Sequence, residues 1–326
     1  MVRVAIAGAS GKLALEVIDK LAAAGKHEIL GLVRKDPSSL PQFQGVRYIQ
    51  TSYQDEKELV EILDGVETVL SFIVAHTDPN AETAKRLIDA SIKAEVKRFA
   101  PSEWATAGLR NNNLSDVIEY TSWYANKLEV KKYLEDINKS KKVIEYSLFQ
   151  PGAFMNYLGY PHQTTKYYQI DYATFIDFEK ATAFILEGSE SAEMSITTIE
   201  DIAEVAARAV DYEGDWPVVG GITGDRVTIG ELIKLGEKYR GKPFQVDRLK
   251  LEDLKAGIVK TDFAPDIDVP GVPAEQKEYF SNVVVIGATI STARGTWATT
   301  DEWNKLLPEF KPTTIEEYLQ KTWGSQ

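Results

Sequence analysis

Cysteine is absent from the 326 residues. Its absence removes disulfides, thiolate zinc sites and cysteine nucleophiles together, and it suits a reducing compartment. Histidine occurs only as His27, His76 and His162, too scattered to suggest a metal site. Positive charge is also in deficit. The 37 Lys+Arg against 49 Asp+Glu leave a formal net charge of −12, a field that repels phosphate backbones and anionic membranes. No nucleic acid and no membrane is expected as a partner. Long apolar runs are missing as well. The opening MVRVAIAGAS reaches glycine too soon to contain the apolar core of a signal peptide. The apolar stretch at 283–290 is broken by Gly287 and Thr289, far short of the ~20 residues that span a bilayer. A soluble, cytoplasmic chain is expected.

What is present is a globular balance of 44 % hydrophobic and 26 % charged residues, long enough for one large α/β domain or two smaller units. Short β-branched runs at 2–7, 28–33, 46–49, 68–74, 98–100 and 143–149 read as strands. Between them Leu13, Val17, Ile18 and Leu21 recur at helical spacing, as do Leu59, Ile62 and Leu63, and then Ala84, Leu87, Ile88 and Ile92. Six strands with crossover helices predict an α/β fold with a doubly wound parallel sheet. After Pro151-Gly152 the pattern changes to an aromatic stretch, Phe154 to Phe178, then to mixed short strands and helices near 200–211, 229–239, 275–293 and 313–322. No linker divides the two parts. The expected units are 1–152 and a smaller α/β lobe, 153–326, intertwined with it.

The first strand runs into Gly8-Ala9-Ser10-Gly11-Lys12-Leu13-Ala14, where the first helix begins. Such a turn lets a pyrophosphate approach the backbone, where the N–H groups and positive dipole of a helix N-terminus bind the anion. A glycine turn alone also ends strands wherever positive φ is wanted. The strand before it and the helix after it favour dinucleotide binding, with Gly8, Ser10, Gly11, Lys12 and Leu13 as candidate contacts. The spacing of Gly8 and Gly11 excludes a nucleotide-triphosphate loop. The second strand ends at Val33-Arg34-Lys35, where an NAD-binding chain usually carries an acid for the ribose hydroxyl. Two cations there suit a 2′-phosphate instead, so NADPH/NADP⁺ is the expected cofactor. Phe72 and Ile73, after the fourth strand, would pass under the nicotinamide side, or serve as ordinary core.

The fifth strand stops at Pro101 and presents Ser102, Glu103 and Trp104 at its carboxyl end, which faces the ligand crevice in open α/β sheets. Next comes a helix carrying Tyr120, Tyr124, Lys127, Leu128 and Lys131. The glycine start, Arg34-Lys35, KRFAPSEWA, YANKLEVKKYLE and LFQPGAFMNYL together resemble the NmrA-like and isoflavone-reductase-like atypical short-chain dehydrogenases. The FKPTTIEEYL tail and middle lobe look closest to fungal members of secondary metabolism. The resemblance implies an NADP-binding Rossmann domain over 1–152 and a substrate-binding lobe over 153–326. It also implies that Lys127 contacts the nicotinamide ribose and serves in proton transfer, and that Gln150, Gly152 and Phe154 close over the nicotinamide ring. The Tyr-x-x-x-Lys of ordinary short-chain dehydrogenases is absent: Trp123 lies four residues before Lys127, and Tyr124 only three.

The aromatic stretch suits a flat aromatic ligand as well as it suits a core. Ser102, Glu103, Trp104, Tyr157, His162 and Tyr168 are the candidate substrate contacts, with Ser102, Glu103 and Tyr157 in reserve as proton donors. The favoured function is an NADPH-dependent reductase delivering hydride to a C=C, C=N or C=O bond of a hydrophobic, aromatic or alkaloid-type secondary metabolite, with redox-coupled ring formation as a variant. The competing class is a non-enzymatic NADP(H) sensor that binds a protein partner; retention of Lys127 favours the enzyme.

Overall fold

The computed structural model describes residues 1–105, 117–265, 267 and 273–324. Strand β1 (Arg3–Ala7) alternates its side chains between two helical layers, as a strand buried on both faces must. Val4 and Ile6 pack with helix α1 (Lys12–Ala24), whereas Ala5 and Ala7 face the opposite layer. There follow β2 (Glu28–Val33), β3 (Val46–Gln50), α2 (Glu56–Ile62), β4 (Thr68–Ser71), α3 (Glu82–Lys93), β5 (Arg98–Ala100), α4 (Ala125–Asn138) and β6 (Glu145–Tyr146). All six strands are parallel, in the order β3-β2-β1-β4-β5-β6. The expected doubly wound sheet forms, with α2, α3 and α4 over one face.

Two expected strands are shorter than their apolar runs. The run at 68–74 leaves the ladder after Ser71, although Phe72 N–H still reaches Ala7 O at 2.8 Å. The run at 143–149 changes partner. Ser147 N–H bonds Phe99 O on β5, but β5 ends at Pro101, which has no N–H to continue a ladder. Leu148 N–H therefore turns to Val218 O, and β7 (Leu148–Gln150) pairs with a strand formed far later in the chain.

The second half contributes β8 (Ala153–Phe154), β9 (Ile176–Asp177), β10 (Thr182–Leu186), β11 (Glu193–Thr197), α5 (Ile199–Asp211), β12 (Val219–Gly221), β13 (Asp225–Thr228), α6 (Ile229–Arg240), β14 (Gln245–Leu249), α7 (Leu251–Lys255), α8 (Lys277–Ala293), α9 (Glu302–Leu306) and α10 (Ile315–Trp323). Two small sheets, β14-β10-β9 and β13-β11-β8, carry the lobe. The chain recrosses residue 152 more than once. Ile202, Val205 and Ala206 of α5 join Val17, Ile18 and Leu21 of α1 in one core, β12 is the partner of β7, and Trp303 of α9 is buried in the same cluster. The second layer of the first unit is thus built from α1 together with residues beyond 152. Among the described residues no helix is long and apolar enough to cross a membrane.

Candidate active site

At the carboxyl end of β1 the chain turns at Gly8 with φ 73°, and a Cβ there would stand 2.9 Å from the Phe72 carbonyl carbon and oxygen. Only glycine fits. Gly8 N–H donates to the Tyr53 hydroxyl at 2.9 Å, and that hydroxyl donates to Leu32 O at 2.7 Å, so a buried phenol fixes the loop from below. Burial pushes the Tyr53 phenol up to about 12, so it serves as a neutral donor. Helix α1 then begins with no side-chain cap and no acid in its first turn, leaving its N–H groups and dipole for an anion. Arg34 and Lys35 stand exposed just past β2. Phe72 and Ile73 are buried at the rear of the loop.

Lys12 takes a different direction. Its Nζ donates to Asp171 Oδ2 at 2.9 Å and Gln169 O at 3.0 Å. One turn on, Glu16 Oε1 accepts the N–H groups of Tyr167 (2.5 Å) and Tyr168 (2.9 Å), and Asp19 holds Lys166 at 2.7 Å. Residues 12, 16 and 19 share a helix face, so the loop ahead of β9 is pinned along α1.

Beyond Trp104 lies a cavity of about 280 Å³. Trp104, Tyr124, Gly152, Phe154, Tyr157 and Val285 of α8 are among the residues that line it. Among the described residues no charged side chain lines it. Gly152, at φ 74°, admits β11: a Cβ there would meet Ser195 O at 2.3 Å. Trp104 is the partition between loop and cavity. Its indole stacks on Phe72 at 4.5 Å and Phe149 at 4.9 Å, and Nε1 donates to Ser71 O at 2.7 Å, contacts that hold its backbone at φ 28°.

Lys127, in the first turn of α4, is behind the wall rather than on it. With Ser102, Glu103, Asn126 and Asp78 it lines a separate space of about 20 Å³. Its Nζ donates to the Glu103 backbone carbonyl and lies 4.9 Å from the Tyr124 ring centroid. Burial lowers the Lys127 ammonium below the usual lysine range, with Glu103 opposing. Burial raises the Glu103 carboxyl to about 7, against the pull of Lys127 and Lys131. The Tyr124 phenol is pushed up to about 12, again by burial.

A model of the NmrA-like family matches residues 2–319. The chain belongs to the NmrA-like family. It is 25 % identical over 245 residues to the oxidoreductase BOA1 of Botryotinia fuckeliana, covering 74 % of this chain and 77 % of that one. The fold is shared with the NADPH complex of the quinone oxidoreductase QOR2 of Escherichia coli, at a TM-score of 0.67 and 21 % identity, covering 98 % and 99 % of the two chains. It is shared equally with AtPrR2 bound to NADP⁺ and (+)pinoresinol, at a TM-score of 0.68 and 18 % identity over 98 % of each.

In this NmrA-like chain Gly8, Ser10, Gly11 and Leu13 lie together at the start of α1, with Lys12 turned to the pinned loop. Trp104, Gly152, Phe154 and Tyr157 line the cavity. Tyr168 stands behind them, its ring 5.5 Å from Phe154 and its phenol raised by burial. Three of the expected substrate contacts are elsewhere. Ser102 and Glu103 face the small space with Lys127, because the turn after Pro101 aims them behind Tyr124. His162 N–H bonds Gly159 O at 2.8 Å, and this turn carries its imidazole onto Trp323, 4.6 Å between rings, in the core beside α10. Gln150 is fully buried in β7 and does not reach the cavity. Tyr172, within the expected aromatic stretch, lines the cavity, whereas Tyr53 under the loop and Trp297 and the Val284–Ala288 face of α8 on the cavity had no signal in the sequence. Tyr124 was visible three residues before Lys127, but spacing gave it no role.

Proposed function

We propose that this protein is an NADPH-dependent reductase of neutral, flat, hydrophobic substrates, with residues 1–152 supplying most of the cofactor site and the later lobe most of the cavity. The observation that carries the reading is one adjacency. An anion-ready helix start followed by two exposed cations past β2 is separated by the indole of Trp104 from an aromatic cavity that no charged side chain lines among the described residues. The residues present fit the dinucleotide. The uncapped first turn of α1 would hold the pyrophosphate, Arg34 and Lys35 the 2′-phosphate, and Phe72, Ile73, Gly152 and Phe154 the nicotinamide half. When bound, the reduced nicotinamide supplies a hydride.

The chain's own residues do the remainder. The aromatic walls orient a planar substrate and keep water from the transfer, and the buried groups around Tyr124 hold a proton for the atom that becomes electron-rich. The names of the relatives support this reading: an oxidoreductase, a quinone oxidoreductase crystallised with NADPH, and a protein crystallised with NADP⁺ and pinoresinol. The substrate class is an aromatic secondary metabolite with a reducible C=C, C=N or C=O bond.

The test is calorimetric titration with NADPH, NADP⁺ and NADH, followed by anaerobic NADPH oxidation against quinones, lignans and imines. Tight NADPH binding with turnover of at least one aromatic acceptor is expected. Tight binding without turnover across the panel would instead favour the sensor class, and absence of binding would overturn both.

A further inference from the structure

A proton must accompany the hydride, and the group that gives it must touch the cavity. Lys127 does not. Tyr124 lines the cavity, and Lys127 lies behind it, over its ring face. Behind Lys127 in turn is a space of about 20 Å³, room for a single water, where Glu103 and Asp78 both sit. The two acids differ in commitment. Asp78 accepts the N–H groups of Thr83 (2.8 Å) and Ala84 (3.0 Å) and so caps α3. Glu103 is 3 % exposed and lines that space, and among the described residues its carboxyl forms no ion pair. A buried carboxyl without a paired charge is costly to ionise, and a protein retains one where its proton is used.

Resting on the reductase reading above, we infer that Glu103 is the proton store of this site, a positioning residue that resupplies, through Lys127, the proton Tyr124 delivers across the cavity wall. The reduced nicotinamide, when bound, would supply the hydride for the new C–H bond, and the displaced π pair would leave the neighbouring atom in need of a proton. The Tyr124 O–H bond breaks, and its proton joins that atom. The phenolate left behind recovers a proton from the Lys127 ammonium, and Lys127 recovers one from the Glu103 carboxyl. Solvent reprotonates the carboxylate between turnovers. The carboxyl is held up at about 7, the ammonium is lowered by burial and the phenol is raised to about 12, so the phenol is the weakest acid of the three and takes back its proton. Among the described residues the ionisable groups facing this array are Lys127 and Lys131 from α4, Tyr124 at its start, Asp78 ahead of α3, and Tyr168 and Tyr172 from the pinned loop.

Carboxyl-carbon NMR of the full chain labelled at glutamate Cδ tests the store without turnover. One glutamate resonance, absent in Glu103→Gln, is expected to titrate between pH 6 and 8 and to move to higher pH in Lys127→Met, where the ammonium that lowers it is gone. Assignment by the variant is needed because Glu200 is also raised by burial. A wild-type spectrum with every glutamate titrating below pH 6 overturns the inference even if neither variant folds, as does an unmoved resonance in a folded Lys127→Met. With an acceptor found, kcat is expected to fall as pH rises through about 7 in the wild type. Glu103→Gln should flatten that limb and lower kcat at least tenfold with the NADPH KM unchanged, and Tyr124→Phe should lower kcat about 100-fold. A fully active Tyr124→Phe, or a larger loss in Tyr157→Phe, overturns the delivery step. If the wild type oxidises NADPH with no acceptor, the reductase reading falls alone, and the carboxyl titration still decides whether Glu103 holds its proton at neutral pH.

Discussion

Arg34 and Lys35 are exposed cations whose only distinction is their position past β2, beside the open turn of α1. A charged hydrogen bond to a phosphate is worth about 1.5–3 kcal/mol, so Arg34→Ala should weaken NADPH at least tenfold and leave NADH nearly unchanged. Parallel calorimetry checks this, and equal losses would remove the 2′-phosphate from the account. Gly8 is constrained from two sides, by φ 73° and by the Phe72 carbonyl at 2.9 Å from a Cβ. Gly8→Ala should therefore lower Tm and abolish dinucleotide binding together, as thermal unfolding with and without NADPH would report. Both positions were legible in the sequence because each belongs to a contiguous motif. Glu103 was legible as a candidate proton donor but its direction was not, since nothing in PSEW tells which way a side chain leaves the turn. Its neighbour Trp104 faces the cavity while Glu103 faces Lys127.

At the scale of elements, α1 does more than present its N-terminus. Its Lys12, Glu16 and Asp19 hold the loop ahead of β9, whose Tyr168 and Tyr172 pack on Phe154 and Tyr157. The contacts differ in weight. Lys12 and Asp171 are 48 % and 68 % exposed, and such a pair contributes at most about 1 kcal/mol. Glu16 is buried and accepts two backbone N–H groups, which a neutral amide cannot replace in full. Glu16→Gln should therefore speed hydrogen exchange at the Tyr167 and Tyr168 amides about tenfold, while Asp171→Asn changes it little. Equal exchange in the two variants would mean that the loop is held by its aromatic packing alone. Strand periodicity foretold the six-stranded sheet, but not the switch of β6 into β7, which depends on a partner strand some 70 residues later in the chain.

For the whole molecule, Glu103 ties stability to pH. Its carboxyl is raised from 4.5 to about 7 in the folded chain, so folding favours the protonated form. The contribution is fully present below the unfolded value and is lost as pH rises through about 7, a loss of about 3 kcal/mol. Denaturant unfolding at pH 5 and pH 8 should show this loss in the wild type and not in Glu103→Gln. Equal pH dependence in the two proteins would place the carboxyl in its ordinary range.

The sequence by itself determined the parallel sheet, the glycine turn, the cation pair and the lysine helix. All rest on interactions between residues near one another in the chain, where strand and helix periods and a fixed motif spacing are enough. Tertiary structure alone decided which of those residues meet. The cavity draws its wall from Trp104, Tyr124, Gly152, Phe175, Met194 and Val285, and the loop on α1 is held across 159 residues by Lys12 and Asp171. Lys127 is set behind Tyr124 rather than beside the substrate because the Pro101 turn brings the Glu103 carbonyl to its ammonium. No local pattern encodes such contacts, since they form only when separate elements pack and exclude water between them.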